Sequence, residues 1–219
     1  MLTITSVEPQ KKNLKRFNIF LDGKFAFGAD EDLIVDYRLV VGKIIQTEDL
    51  EKLLFEAEVG KLMEKMYNWF CFRQHSEKET RDYLKNLSFK RKLKDLDEIS
   101  EMVTSLLVER LKKKGLINDL EFAKAWVDAR RRSKQKGINA IKSELYQKGI
   151  DKEIIEEVIV QASEGDEENL AKIALEKKIN SWKNLDEKKR KQKAFEYLMR
   201  KGFTYDISKE VIEKLLKMS

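Results

Sequence analysis

The chain holds one cysteine and one histidine, Cys71 and His75, and on a helix their four-residue spacing would turn both toward one zinc ion. A structural zinc site takes four ligands and a catalytic one three, almost always with further histidine or cysteine. This sequence offers neither. The pair also lacks the third, orienting group of a cysteine-histidine nucleophile. A phosphate-cradling loop is missing as well: Lys134-Gln-Lys-Gly137 has a single glycine and follows a helical pattern instead of a strand. The expectation is a non-enzyme with no catalytic residues, no cofactor and no metal.

The residues left to do chemistry are cations. The segment 110–136 carries ten Lys and Arg against Asp119, Glu121 and Asp128. Its densest stretch is Arg130-Arg-Arg132-Ser-Lys134-Gln-Lys136, with Lys112-Lys-Lys114 at the preceding turn. Cations at a helix C-terminus are ordinary complements of the macrodipole, but this run exceeds what a cap requires. Arginine also grips carboxylate and phosphate with two parallel hydrogen bonds. The run is therefore the first candidate for a working surface, facing a polyanion or an acidic protein. Trp69, Trp126 and Trp182 recur at helical spacing beside other apolar residues and are read as packing.

The charge is unevenly placed. Residues 1–60 hold 8 basic and 11 acidic side chains, whereas residues 61–219 hold 37 and 28, so the positive field belongs to the later part. With 42% apolar residues the chain can build a core. No stretch approaches the eighteen or so apolar residues of a membrane span, and the N-terminus does not read as a signal peptide. A lone cysteine permits no internal disulfide framework and suits a reducing compartment. A cytoplasmic monomer is expected.

The elements that must carry these cations announce themselves by repetition. Leu145-Tyr-Gln-Lys-Gly149-Ile150, followed by Ile154, Val158 and Ile159, recurs as Leu198-Met-Arg-Lys-Gly202-Phe203, followed by Ile207, Val211 and Ile212, at a constant offset of 53 residues. Such an offset marks a repeated supersecondary unit. Leu84-Lys-Asn-Leu-Ser88-Phe89 matches the spacing with serine for glycine and a basic insertion, Lys90 to Lys94, after it. Around each copy the apolar period predicts a helix before and a helix after.

The first triplet begins at Thr47 with a long helix through Leu53, Leu62 and Met66. Its second helix starts at the capping box Ser76-Glu-Lys-Glu79, and its third runs from about Leu96 to Lys113, with Gly115 to end it. The second triplet starts at Asn118 or Asp119 and is broken at Gly137; Asp151 caps its last helix. The third repeats the plan, with Thr204 in the place of Asp151 and a hinge expected at Glu164-Gly165-Asp166. Ahead of them, Phe17 to Leu21 and Lys24 to Phe27 flank Asp22-Gly23, the signature of a type I′ hairpin. Leu2 to Val7 can add a strand, and a continuation of the sheet is expected near residues 40–45. The fold expected is mainly α: nine helices in three tandem three-helix repeats, an elongated curved array, behind a small antiparallel β extension. The boundaries are 1–46 for the extension, then 47–115, 116–164 and 165–219.

Together these fragments resemble the RecX family, regulators of the RecA recombinase. Arg73-Gln-His-Ser76-Glu77-Lys-Glu79-Thr-Arg81-Asp-Tyr-Leu84 is similar to its first-repeat signature, and Leu111 to Ala123 to its junction into the second repeat. Arg130 to Gly137, with Ile141, Glu144-Leu145, Lys148-Gly149-Ile150 and Ile154-Ile155, resembles its central block. The resemblance covers residues 65–219, and the hairpin resembles the extension of longer members. Ser88 and the spacer Lys90 to Asp95 depart from the pattern. It implies a regulator, not an enzyme, that binds RecA and its DNA filament and restrains filament growth, ATP hydrolysis and strand exchange in recombination, repair and the SOS response. The partner contact is then expected at Lys112, Lys113, Lys114, Arg130, Arg131, Arg132, Lys134 and Lys136, with Arg73 and Arg81 beside them. Charge reversal at Arg131 and Arg132 is expected to weaken inhibition without unfolding the chain. The rival reading is a helix-turn-helix-like DNA-binding protein that acts without RecA.

Overall fold

Asp22 and Gly23 both take positive φ, 47° and 80°, the pair that a type I′ turn demands. They join strands β2 (Arg16–Leu21) and β3 (Lys24–Asp30) in the computed structural model, which describes residues 1–11, 13–163 and 167–217. Strand β1 (Leu2–Pro9) pairs antiparallel with β2, and the two-residue β4 (Ile44–Ile45) with β1, giving the order β3-β2-β1-β4. The extra strand expected in residues 40–45 is thus only those two residues long. Between β3 and β4 lies a six-residue helix that the apolar period did not predict, α1 (Glu31–Asp36). Its N-cap is Asp30, whose Oδ1 accepts from Leu33 N at 2.9 Å, and Glu31 and Asp32 suit the positive end of the dipole.

Nine further helices follow among the described residues, in the three triplets that the repeat predicts. They are α2 (Thr47–Phe70), α3 (Glu77–Lys92) and α4 (Glu101–Lys113); then α5 (Asp119–Lys134), α6 (Ile138–Gln147) and α7 (Lys152–Ser163); then α8 (Glu167–Ile179), α9 (Glu187–Lys201) and α10 (Tyr205–Lys217). A 3-10 turn at Asn180–Trp182 follows α8. The hinge expected at 164–166 lies outside the described residues.

The chain divides into two compact units, Met1–Gln74 with Arg81–Ile117, and His75–Thr80 with Asn118–Ser219. In the first, α2 serves two cores. Leu53 and Ala57 pack with Ile4, Ile19, Leu21 and Phe27 of the sheet, while Leu62, Met63 and Met66 pack with Leu84 of α3 and Leu107 and Leu111 of α4. The sheet therefore closes on a helix, as a few strands must to bury one face. One expectation needs correction here. Helix α4 starts at Glu101, not near Leu96, because Ser100 caps it by accepting from Val103 N at 3.2 Å. Helix α3 runs past Ser88 to Lys92, and Ser88 Oγ accepts from Ile99 N at 2.9 Å. Asp95, at φ 53°, closes the helix end instead, with Leu96 N bonded to Arg91 O. The residues after Ser88 thus lengthen the helix by about one turn.

In the second unit the repeated phrase has one structural meaning. Ile150 N bonds Leu145 O at 3.1 Å and Gly149 N bonds Tyr146 O at 3.0 Å; 53 residues on, Phe203 N bonds Leu198 O at 3.2 Å and Gly202 N bonds Met199 O at 3.0 Å. Each is a Schellman closure with glycine in the left-handed position. Each closure also receives the N-terminus of another helix. Ser76 Oγ, which caps α3 by accepting from Glu79 N at 3.1 Å, donates to Lys148 O at 2.7 Å. Gly137 N, at the N-cap of α6, donates to Lys201 O at 2.9 Å, and Asn139 N donates to Gly202 O at 3.1 Å. Unsatisfied carbonyls of one helix end meet unsatisfied donors of the next, with opposite dipole ends in contact.

The approach is tight enough to exclude a methyl group: a Cβ on Gly202 would lie 2.3 Å from Ala140 N. Gly202→Ala combines the left-handed strain, φ 90°, with this overlap, and should cost about 3 kcal/mol. Gly23→Ala shares the positive φ but meets nothing within 4 Å and should cost only about 1 kcal/mol. Urea unfolding of the two variants measures the difference; equal losses would contradict the close approach.

Candidate functional site

The basic run closes α5, and the fold treats its members differently. Glu144, one turn before the end of α6, gathers three donors: Arg130 Nε at 2.6 Å, Trp126 Nε1 at 2.8 Å and Lys136 Nζ. The Arg130 guanidinium also lies over the Trp126 ring, 3.9 Å from its centre, a cation-π contact partly shielded from water. Burial by itself would raise the Glu144 carboxyl, but the hydrogen bonds from Lys136, Arg130 and Trp126 outweigh it and hold the group below the ordinary glutamate value. On the other side of the Trp126 ring's network, Lys148 Nζ sits 5.0 Å from the ring centre and donates to Glu79 Oε1 at 2.5 Å.

Arg131 pairs with Glu167 in the first turn of α8; Glu167 is buried and Arg131 partly so, at 9% and 13% side-chain exposure. Burial pushes the Glu167 carboxyl up by more than Arg131 and the Ile138 amide pull it down. Removing either partner would leave a partly buried charge without its counter-ion, so reversal of Arg131 is expected to cost stability as well as any contact it makes.

Two cations of the run face solvent. Arg132 is 83% exposed, with Asp128 at 3.8 Å, and Lys134 is exposed with no ion pair among the described residues. In the first unit Lys112, Lys113 and Lys114 are all exposed at the end of α4; Lys113 pairs with Glu109 at 2.8 Å, and Lys114 lies 5.8 Å from the Tyr67 ring centre. Arg73 is exposed and donates to Gln74 O at 2.8 Å, while Arg81 meets Glu101 at 3.5 Å. Of the possible metal pair, Cys71 is exposed after α2, and His75 is buried with Nδ1 3.3 Å from Glu79 Oε2. The three tryptophans pack as read: Trp69 stacks on Tyr83, Trp126 on Phe122, and Trp182 meets Tyr197 edge-on.

Sequence reasoning missed Lys177, Arg200 and Lys201. Lys201 Nζ reaches back to Lys134 O, and Lys177 Nζ donates to Gln135 Oε1 at 3.2 Å. The signal was present in the repeat, since Lys201 stands 53 residues after Lys148, but only the Gly137–Gly202 approach brings it beside the run.

Comparison with known proteins gives these features a family. Residues 2–46 match the profile described as "Regulatory protein RecX N-terminal domain", residues 118–159 "RecX, second three-helix domain", and residues 166–212 "RecX, third three-helix domain". Regulatory protein RecX of Bacillus subtilis is 34% identical over 212 residues, covering 97% of this chain and 76% of the relative. That of Listeria monocytogenes is 35% identical over 210 residues, covering 95% and 74%. The chain belongs to the RecX family. A crystal structure of regulatory protein RecX superposes with a TM-score of 0.75 at 26% identity, over 97% of this chain and all of that one. RecX from Lactobacillus salivarius gives 0.60 at 26% identity, over 72% and 96%.

One carboxylate, Glu144, thus holds Trp126, Arg130 and Lys136 together. A carboxylate held low in the folded state adds stability that is complete above its unfolded value and is lost as pH falls through the folded one. Glu144→Gln should cost about 2 kcal/mol at pH 7. It should also flatten the loss of stability of the native chain below the ordinary glutamate value of about 4.3. Urea midpoints measured across that range check this; parallel pH profiles would contradict the assignment.

Proposed function

We propose that this protein binds the RecA recombinase and its nucleoprotein filament, and that it restrains filament growth, ATP hydrolysis and strand exchange in cytoplasmic recombination, repair and the SOS response. The observation that carries this reading is family membership along nearly the whole chain, joined to a RecX fold over 97% of it. The charge distribution supports it: residues 61–219 carry 37 basic against 28 acidic side chains, and a positive surface of that kind steers association with a polyanionic filament. The exposure of Arg132 and Lys134 in the second unit, and of Lys112 to Lys114 in the first, supports their candidacy as contact side chains, each set within its own unit. Arg130, Arg131 and Lys136 hold the surface in shape. No helix among the described residues is long and apolar enough to cross a membrane.

Titration of the single-stranded-DNA-dependent ATPase of the cognate RecA tests the proposal. Activity should fall at well below one molecule per RecA protomer, and added DNA should not restore it. No inhibition, or inhibition relieved by extra DNA, would instead point to a DNA-binding protein that acts without RecA. The double variant Arg132→Glu/Lys134→Glu should need roughly tenfold more protein for the same inhibition, a loss of about 1.4 kcal/mol of binding, with its thermal midpoint unchanged.

A further inference from the structure

Between the C-terminal ends of α5 and α9, inside the second compact unit, lies an open cleft of about 490 Å³. Lys134, Lys136, Arg200 and Lys201 line it with Tyr197, and Lys177 adjoins it through Gln135. Only Lys136 has a carboxylate partner, Glu144, which already serves Arg130. Among the described residues, Lys134, Lys177, Arg200 and Lys201 form no ion pair.

Three helix C-termini explain part of this, those of α5, α9 and, at Lys177, α8, but each offers only about half a negative charge. Four cations against roughly one and a half units of dipole charge leave a surplus of about two to three. The surplus is self-repelling: burial, then Lys177 and Lys136, lower the Lys201 amine from its ordinary value. Lys201 nevertheless stays at the cleft, anchored to Lys134 O and 5.5 Å from the Tyr197 ring centre. Clustered cations held together without counter-charges, beside an aromatic ring, are the footprint of a bound polyanion.

We infer that this cleft is a phosphate-binding site for single-stranded nucleic acid, in which Lys134, Lys177, Arg200 and Lys201 contact successive backbone phosphates. The site rests on the filament reading for the source of its phosphates, yet it operates in the protein alone. Phosphate is favoured over the carboxylates of a protein because the cations are grouped in one open cleft beside an aromatic ring, the pairing of backbone charge and stacking surface that a single strand uses.

Fluorescence anisotropy of a labelled oligo(dT) with the full chain, in the absence of RecA and at several salt concentrations, tests this. The triple variant Lys134→Gln/Lys177→Gln/Arg200→Gln should weaken binding at least tenfold. It should also reduce the salt slope by about 2, since each phosphate contact on a single strand contributes roughly 0.7. The control Lys188→Gln/Lys193→Gln/Lys209→Gln removes the same charge from exposed positions of the same unit and should change affinity less than threefold. Circular dichroism melts of both variants verify folding. Equal losses in the two variants, no measurable binding by the native chain, or displacement of the oligonucleotide by poly-glutamate at equal charge would each overturn the site. Because RecA is absent, none of these outcomes decides the ATPase result, and inhibition without oligonucleotide binding would sink the cleft alone.

Discussion

The second compact unit depends on helix ends meeting head to tail. A helix leaves its first N–H groups and last carbonyls without partners, and burying them bare costs more than the packing returns. Here the two problems cancel: the N-cap of α3 bonds the end of α6 at Lys148 O, and the N-cap of α6 bonds the end of α9 at Lys201 O. The repeated Lys-Gly follows from this. Glycine supplies both the left-handed turn and the missing Cβ that lets the incoming backbone approach, and the preceding lysine offers its carbonyl to the junction and its side chain to an aromatic ring.

Once the junction is set, the charges sort themselves. Holding α6 between two neighbours places Glu144 under Trp126 and Arg130, and that one carboxylate draws Arg130 and Lys136 inward. Arg131 is turned toward α8 and Glu167. Arg132 and Lys134, on the remaining faces of the same helix end, are left to solvent. At the α9 junction the lysine has no glutamate to meet, so Lys201 joins Lys134 at a cleft that stays positive. A basic run that reads as one surface in sequence is therefore divided by the fold into an ion-paired part and a solvent-exposed part.

Most of the architecture was legible because it rests on local rules. The Asp22-Gly23 turn, the capping box at Ser76 and the glycine closures are each set by a few neighbouring residues, and the 53-residue offset ties two triplets together without any tertiary information. The departures are equally physical. Ser88 occupies the glycine position of the repeat, but serine tolerates a helix, and nothing stops α3 until Asp95 turns left-handed. Helix α1 is too short to show a period and is fixed by a single cap. The division of Arg130 to Lys136 was hidden because it depends on Glu144 and Glu167, which lie 14 and 36 residues from their arginine partners, and long-range pairing leaves no local pattern. Lys177, Arg200 and Lys201 escaped notice for the same reason.

The junction itself is best probed by native-state amide exchange at Gly137 and Asn139. Both sit at the first turn of α6, where amides normally fray and exchange freely. If α6 and α9 are joined through Lys201 O and Gly202 O, both amides should be protected to nearly the same free energy as the buried core amides of the unit, such as that of Leu145. Exchange at the rate of an open helix terminus, with the core still protected, would contradict the head-to-tail arrangement on which the rest of the account depends.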